Sequence, residues 1–124
     1  MIPRHLYDSD HEMFRDSVRK FLETEAMPHH EKWENDGMVS DEVWLKAGEQ
    51  GFLSLAVPEE FGGVDADFRY NCILNEEIAR SGCSGLGWTL HNDITVPYIV
   101  RYGSECQKQK YLPRCASGEL ITAI

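Results

Sequence analysis

Few side chains in this sequence combine the type and spacing that chemistry requires. His29 and His30 are adjacent, but metal ligands must converge on one point, and neighbours on a helix point around different parts of it. No second ligand pair stands at metal-site spacing, so the pattern favours two surface histidines and assigns no metal site. Glu76-Glu77 has the composition of a general acid–base pair. The reading it favours is plainer: one carboxylate is solvated and the other pairs with a base, Arg80 standing at i,i+4 from Glu76. Glu59-Glu60 follows Pro58 in a loop, where capping and solvation suit it better than catalysis. Cys72, Cys83, Cys106 and Cys115 form no C-x-x-C pair and are spread along the chain, so they read as reduced structural thiols rather than bridges or metal ligands. There is no G-x-G-x-x-G, no P-loop and no G-x-S-x-G. The residues alone therefore assign no catalytic side chain.

The elements that must hold these side chains are helices. Ser9-Asp10-His11-Glu12 reads as a capping box that opens a helix with Phe14, Val18, Phe21 and Leu22 on one face, broken or kinked at Pro28. Asn35-Asp36-Gly37 is a turn; Ser40 caps a second helix with Val43, Trp44 and Ala47 inward, and Gly51 suits the left-handed position that ends it. Phe52 to Val57 suggests a short extended piece, closed by Pro58 and the Gly62-Gly63 turn. A third helix runs from about Asp67 to Ser81-Gly82. Leu86, Leu90, Ile94 and Tyr98 space a fourth, bent by Pro97. Ser104 to Gln107 is a capping box for a fifth, with Tyr111, Leu112 and Cys115 inward and Pro113 distorting its last turn. Glu119 to Ile124 reads as the start of a β-strand. The expected fold is all-α, an up-and-down bundle of four to five helices over residues 1–118, with residues 119–124 beginning a β-domain.

Charge excludes some function classes. A net charge of -9 repels phosphate backbones and anionic lipids, which disfavours nucleic-acid and membrane partners. No apolar stretch approaches the roughly 20 residues of a membrane span, and the N-terminus shows neither a secretory signal nor an Arg-rich transit peptide. A bacterial cytoplasmic location is expected, with the mitochondrial matrix as the alternative.

One stretch is more specific than any single residue. GEQGFLSLAVPEEFGG, from Gly48 to Gly63, resembles the signature loop of the acyl-CoA dehydrogenase N-terminal domain. VRKFLETEAMPHHEKWE resembles that family's first helix and turn, NEEIAR its third, HNDITVPYIVRYGSECQKQKYLP its helix–turn–helix, and GELITAI the strand that leads to its flavin segment. These motifs stand in the family's order over nearly the whole chain, and Cys83-Ser84-Gly85 with the VS-x-EVW-x-KAG-x-QG pattern is most similar to the long-chain branch.

The resemblance implies the N-terminal helical domain of an FAD-dependent enzyme of fatty acid β-oxidation. Such an enzyme removes two hydrogens across the α,β bond of an acyl-CoA thioester: a carboxylate base takes the α-proton and a hydride passes to FAD. It implies partners as well: the missing β and C-terminal domains, a homotetramer and an electron-transfer flavoprotein. The family's base and flavin segment match nothing here, so the resemblance assigns no catalytic residue, and the chain alone is expected to be inactive and to hold no flavin. Ile124 matches the edge of the flavin segment and is the one implied cofactor contact. The implied wall of the acyl-chain pocket is Gly85, Gly87, Trp88, Thr89, Leu90, His91 and Ile94. Gly85 and Gly87 leave room for a long tail on this reading; the competing reading is that they only allow the turn into the helix. Trp88 and Leu90, taken without the family, read as core. An acyl-CoA oxidase or flavin monooxygenase-like relative, or a standalone helical interaction module, remain the alternatives.

Overall fold

In the computed structural model, which describes residues 2–124, every regular element is a helix. The main ones are α1 (Ser9–Phe21), α2 (His30–Asp36), α3 (Asp41–Glu49), α4 (Phe68–Ser81), α5 (Trp88–Leu90), α6 (Val96–Tyr102) and α7 (Glu105–Ser117). α1 packs along α4, and α7 packs on both α3 and α6.

Caps set the helix starts. α3 begins at Ser40, whose hydroxyl accepts from the Glu42 amide, and α7 begins at the Ser104–Gln107 capping box. Ser104→Ala is expected to lower the unfolding free energy by about 1 kcal/mol, read as a shift of the urea midpoint. The cap of α1 differs from the sequence expectation. Asp8, not Ser9, is the N-cap: its carboxylate accepts from the Asp10 and His11 amides at 2.9 and 3.2 Å, while His11 Nδ1 accepts from the Asp8 amide. A carboxylate outcompetes a hydroxyl for amide donors at the positive end of a helix, and the imidazole replaces the expected Glu12.

Pro28 and Pro97 each sit just past a π turn, at Leu22–Ala26 and His91–Thr95. A proline removes one amide donor and crowds the carbonyl one turn back; widening the preceding turn relieves both. Around Pro28 the chain passes into a 3-10 turn, Met27–His29, before α2. Around Pro97 it stays helical, so α5, the π turn and α6 form one continuous rod. Pro113 lies inside α7, which remains α-helical to Ser117 rather than distorting its last turn.

The larger core cluster gathers Val18, Phe21 and Leu22 with Trp44, Phe52 and Trp88. The aromatic rings meet edge to face: Phe21 on Phe52 at 5.3 Å and Trp44 on Trp88 at 6.3 Å between centroids. A smaller cluster of Val57, Phe61, Val96, Leu112 and Cys115 joins α6 to α7. Phe52 to Val57, expected to be extended, folds instead into turns buried beneath the rod. Asn92 holds it there, accepting from the Ser54 amide at 2.7 Å and donating to the Phe52 carbonyl at 2.9 Å. Asn92 thus pairs backbone groups that a buried loop would otherwise leave unsatisfied.

The strand expected at Glu119–Ile124 does not form: no neighbouring segment supplies a ladder, and among the described residues there is no strand. The segment is anchored by other means. The Leu120 amide donates to the Arg114 carbonyl at 3.0 Å, and Thr122 is tied to His91.

Candidate functional site

The rod Trp88–Tyr102 carries most of the implied wall residues, and helical periodicity divides them between its faces. Trp88 and His91 point into the core, both at 0% exposure. Gly85, Gly87, Thr89 and Ile94 are exposed and Leu90 is half-buried. Trp88 and His91 are thus core residues, while Gly85, Gly87, Thr89 and Ile94 are open to solvent. Past Pro97, Tyr98 and Tyr102 are exposed, at 63% and 70%, beside a groove of about 410 Å³ lined by Tyr98, Ile99, Tyr102, Tyr111 and Leu120.

The backbone does not demand glycine at Gly85 or Gly87. Neither has a positive φ, in contrast to Gly51 at +75°. A Cβ at Gly87 would rest 3.6 Å from the Trp44 ring, and one at Gly85 would lie 3.4 Å from Val39 and 3.5 Å from His30. An alanine fits at both, so turn geometry does not explain the missing side chains, and a larger side chain would meet Trp44, Val39 or His30.

His91 joins the rod to the chain's last segment. Its Nε2 donates to the Cys115 carbonyl at 3.0 Å, and its Nδ1 accepts from the Thr122 hydroxyl at 2.9 Å. Burial holds its pKa below the ordinary imidazole value, so the ring is neutral and its tautomer is fixed by the carbonyl. Burial also pushes the Cys115 thiol up to about 11, which keeps that sulfur protonated and unreactive. Ile124, at the far end of the same segment, is 83% exposed.

A polar bracket that the sequence reading missed joins α4 to the rod. Asn71 and Asn75 donate to the two oxygens of Asp93, each at 2.6 Å, and Thr89 donates its hydroxyl to the Asn75 carbonyl oxygen at 2.8 Å. Asn71 and Asn75 stand one helical turn apart, so they share a face. That face reads as core by periodicity, and amides on a core face were the available signal.

Glu76 and Glu77 do not form an acid–base pair, and the partners differ from the one expected. Glu76 pairs with Arg4 and Arg15 of the packed N-terminal region, not with Arg80. Arg80 lies 3.8 Å from Glu77 and 3.9 Å from Glu23. Helix packing of α1 on α4 brings Arg15 closer than any residue along α4 itself. His30 Nε2 accepts from the Gly85 amide at 3.3 Å, and the His29 ring lies over Trp33. Among the described residues no group of three metal-ligating side chains converges, and no helix is long and apolar enough to cross a membrane.

The family model described as acyl-CoA dehydrogenase, N-terminal domain, matches residues 8–119. The chain is 46% identical over 121 residues to the mitochondrial long-chain specific acyl-CoA dehydrogenase of Mus musculus, an alignment that covers 98% of this chain and 28% of that protein. The crystal structure of an acyl-CoA dehydrogenase from Geobacillus kaustophilus superimposes with a TM-score of 0.91 at 50% identity, over 96% of this chain and 31% of that one. An acyl-CoA dehydrogenase complexed with FAD from Bacillus anthracis gives a TM-score of 0.83 at 33% identity, over 95% of this chain and 20% of that one. The chain thus spans less than a third of the length of the relatives it matches.

Proposed function

The chain belongs to the acyl-CoA dehydrogenase family, as its N-terminal helical domain, and on that premise we propose that it forms one wall of the acyl-chain pocket of an FAD-dependent enzyme that desaturates acyl-CoA thioesters. The wall is the outer face of the rod: Gly85, Gly87, Thr89, Leu90 and Ile94, with Trp88 and His91 packed behind it. An alkyl tail needs a dry apolar slot, worth about 0.8 kcal/mol for each methylene buried. The observation that supports the reading is that neither Gly85 nor Gly87 has a positive φ and both are exposed, so the backbone conformation does not itself require glycine there. The space they leave suits a long chain.

In this proposal residues 119–124 enter a β-domain as a strand, residues 1–118 being the up-and-down helical bundle, and neighbouring domains supply the ladder this chain lacks. Bound FAD would supply the hydride acceptor for the β-carbon. The proposed flavin contact is Ile124, an exposed apolar side chain on a segment anchored through Thr122 and His91. This chain contributes no base; its part is to exclude water and orient the tail. A homotetramer and an electron-transfer flavoprotein complete the proposal. A bacterial cytoplasmic location is part of the proposal, with the mitochondrial matrix as the alternative; likeness to a Geobacillus enzyme supports a bacterial source and likeness to a mouse mitochondrial enzyme supports the alternative.

The test is chain-length preference. Gly85→Leu and Gly87→Leu together, in the complete enzyme that carries this domain, are expected to lower kcat/KM for long acyl-CoAs by about tenfold or more while sparing short ones, since blocking a few methylene sites removes about 0.8 kcal/mol each. An unchanged profile of kcat/KM against chain length would refute the wall.

A further inference from the structure

Thr89 is the one residue of the proposed wall that carries a hydroxyl, and an alkyl chain passing an unpaired hydroxyl strips water from it without return. The bracket between α4 and the rod removes that problem through a chain of donors with a single solution. The Asp93 carboxylate only accepts, so the Nδ2 groups of Asn71 and Asn75 must both face it, as they do at 2.6 Å. With its Nδ2 committed, Asn75 can offer only its carbonyl oxygen in the other direction. Thr89 meets that oxygen at 2.8 Å and must therefore be the donor. Its hydroxyl is thereby turned onto α4.

We infer that Asn75, oriented by Asp93, is a positioning residue that sets the rotamer of Thr89, so that the wall offers an alkyl chain a methyl group in place of a hydroxyl. The inference rests on the wall reading above and adds what makes the wall dry at that point. Thr89 stands within the run that includes both wall glycines, so the effect falls on chains long enough to reach it.

The first measurement uses the 124-residue chain. Three-bond couplings of Thr89 are expected to report one χ1 rotamer in the parent and averaging in Asn75→Ala and in Asp93→Asn, the second keeping side-chain size should the first fail to fold. An averaged rotamer in the parent, or one rotamer in both variants, overturns the inference. The second measurement uses the complete enzyme. Asn75→Ala is expected to lower kcat/KM about tenfold for long acyl-CoAs and little for short ones, the order expected for desolvating an unpaired hydroxyl. Adding Thr89→Val is expected to restore it, because the hydroxyl that needed turning is gone. Equal loss at every chain length, or no restoration by Thr89→Val, marks Asn75 as merely structural and overturns the inference. If the Gly85→Leu and Gly87→Leu profile stays flat while the Thr89 rotamer still depends on Asn75, the wall reading falls instead.

Discussion

Glu77→Ala is expected to lower the unfolding free energy by about 3 kcal/mol, the cost of breaking a buried charge network by removing its centre. The side chain is 2% exposed, on the face of α4 that meets α1. Arg19 reaches its two oxygens through Nε and a terminal nitrogen, both at 2.9 Å, and Arg15 adds a bond at 3.0 Å. Two-pronged guanidinium contacts of this kind are the stronger sort of charged hydrogen bond. The loss is tempered because Arg15 keeps Glu76 and Glu12, and Arg19 is exposed enough to rehydrate. A double-mutant cycle over Arg19→Ala and Glu77→Ala should therefore show the pair losing less than the sum of the singles. Additive losses would mean that the two act independently.

The same network sets the acid limit of stability. Arg19, then Arg15, hold the Glu77 carboxyl below its ordinary value, outweighing burial, which acts to raise it. Arg69 likewise brings Asp67 down to about 2, and the amide of His11 lowers Asp8. A carboxyl with a depressed folded pKa contributes fully above its unfolded value, near 4 to 4.5, and loses that contribution as pH falls through the folded value. Stability should thus decline below about pH 4.5, and Glu77→Gln should flatten that decline. An acid limb unchanged in Glu77→Gln would assign it to the other carboxyls held low, Glu76, Asp8 and Asp67.

The helices were legible because each begins and ends on local chemistry. Ser40, Asp67 and Ser104 cap where their side chains allow, and Gly51 and Gly82 stop helices at positive φ. Asp8 was hidden by an equally plausible Ser9 beside it; the competition is settled by charge, which a pattern of residue types does not weigh. The Phe52–Val57 segment was misread because its apolar run is buried as turns, and what permits that is Asn92, distant in sequence. The strand at Glu119–Ile124 needs a partner from outside the segment, so its absence is a matter of tertiary context.

The wall was legible only through resemblance. Taken without the family, Trp88 and Leu90 read as core; Trp88 is core and Leu90 is half-buried. What periodicity could not separate is the front of the rod from its back: Thr89 and Ile94 face out while Trp88 and His91 face Trp44 and α7. The bracket of Asn71, Asn75 and Asp93 escaped notice because each residue is unremarkable alone. Its meaning comes from donor and acceptor direction, which exists only once α4 and the rod are side by side.

Gly48→Ala is expected to destabilise the chain by about 3 kcal/mol through overpacking, although alanine in a helix is intrinsically better than glycine by about 1 kcal/mol. Gly48 lies in α3 where the end of α7 crosses it, and a Cβ there would stand 2.2 Å from the Ser117 carbonyl oxygen and 2.9 Å from that of Ala116. Those atoms are backbone and cannot turn aside as a side chain could. The crossing is reciprocal: a Cβ at Gly118, which has φ of +84°, would stand 2.3 Å from the Trp44 carbonyl oxygen. Each helix thus presents a bare Cα to the other's carbonyls, and separating them displaces Trp44. The Trp44 ring packs on Trp88 and His91 and lies behind Gly87, so the strain reaches the back of the proposed wall. Gly48→Ala should therefore lower the urea midpoint and change the near-ultraviolet signal of the tryptophans in the folded state. If the variant were instead more stable by the helix-propensity difference, α3 and α7 would not approach this closely, and the support of the wall through Trp44 would have to come from elsewhere.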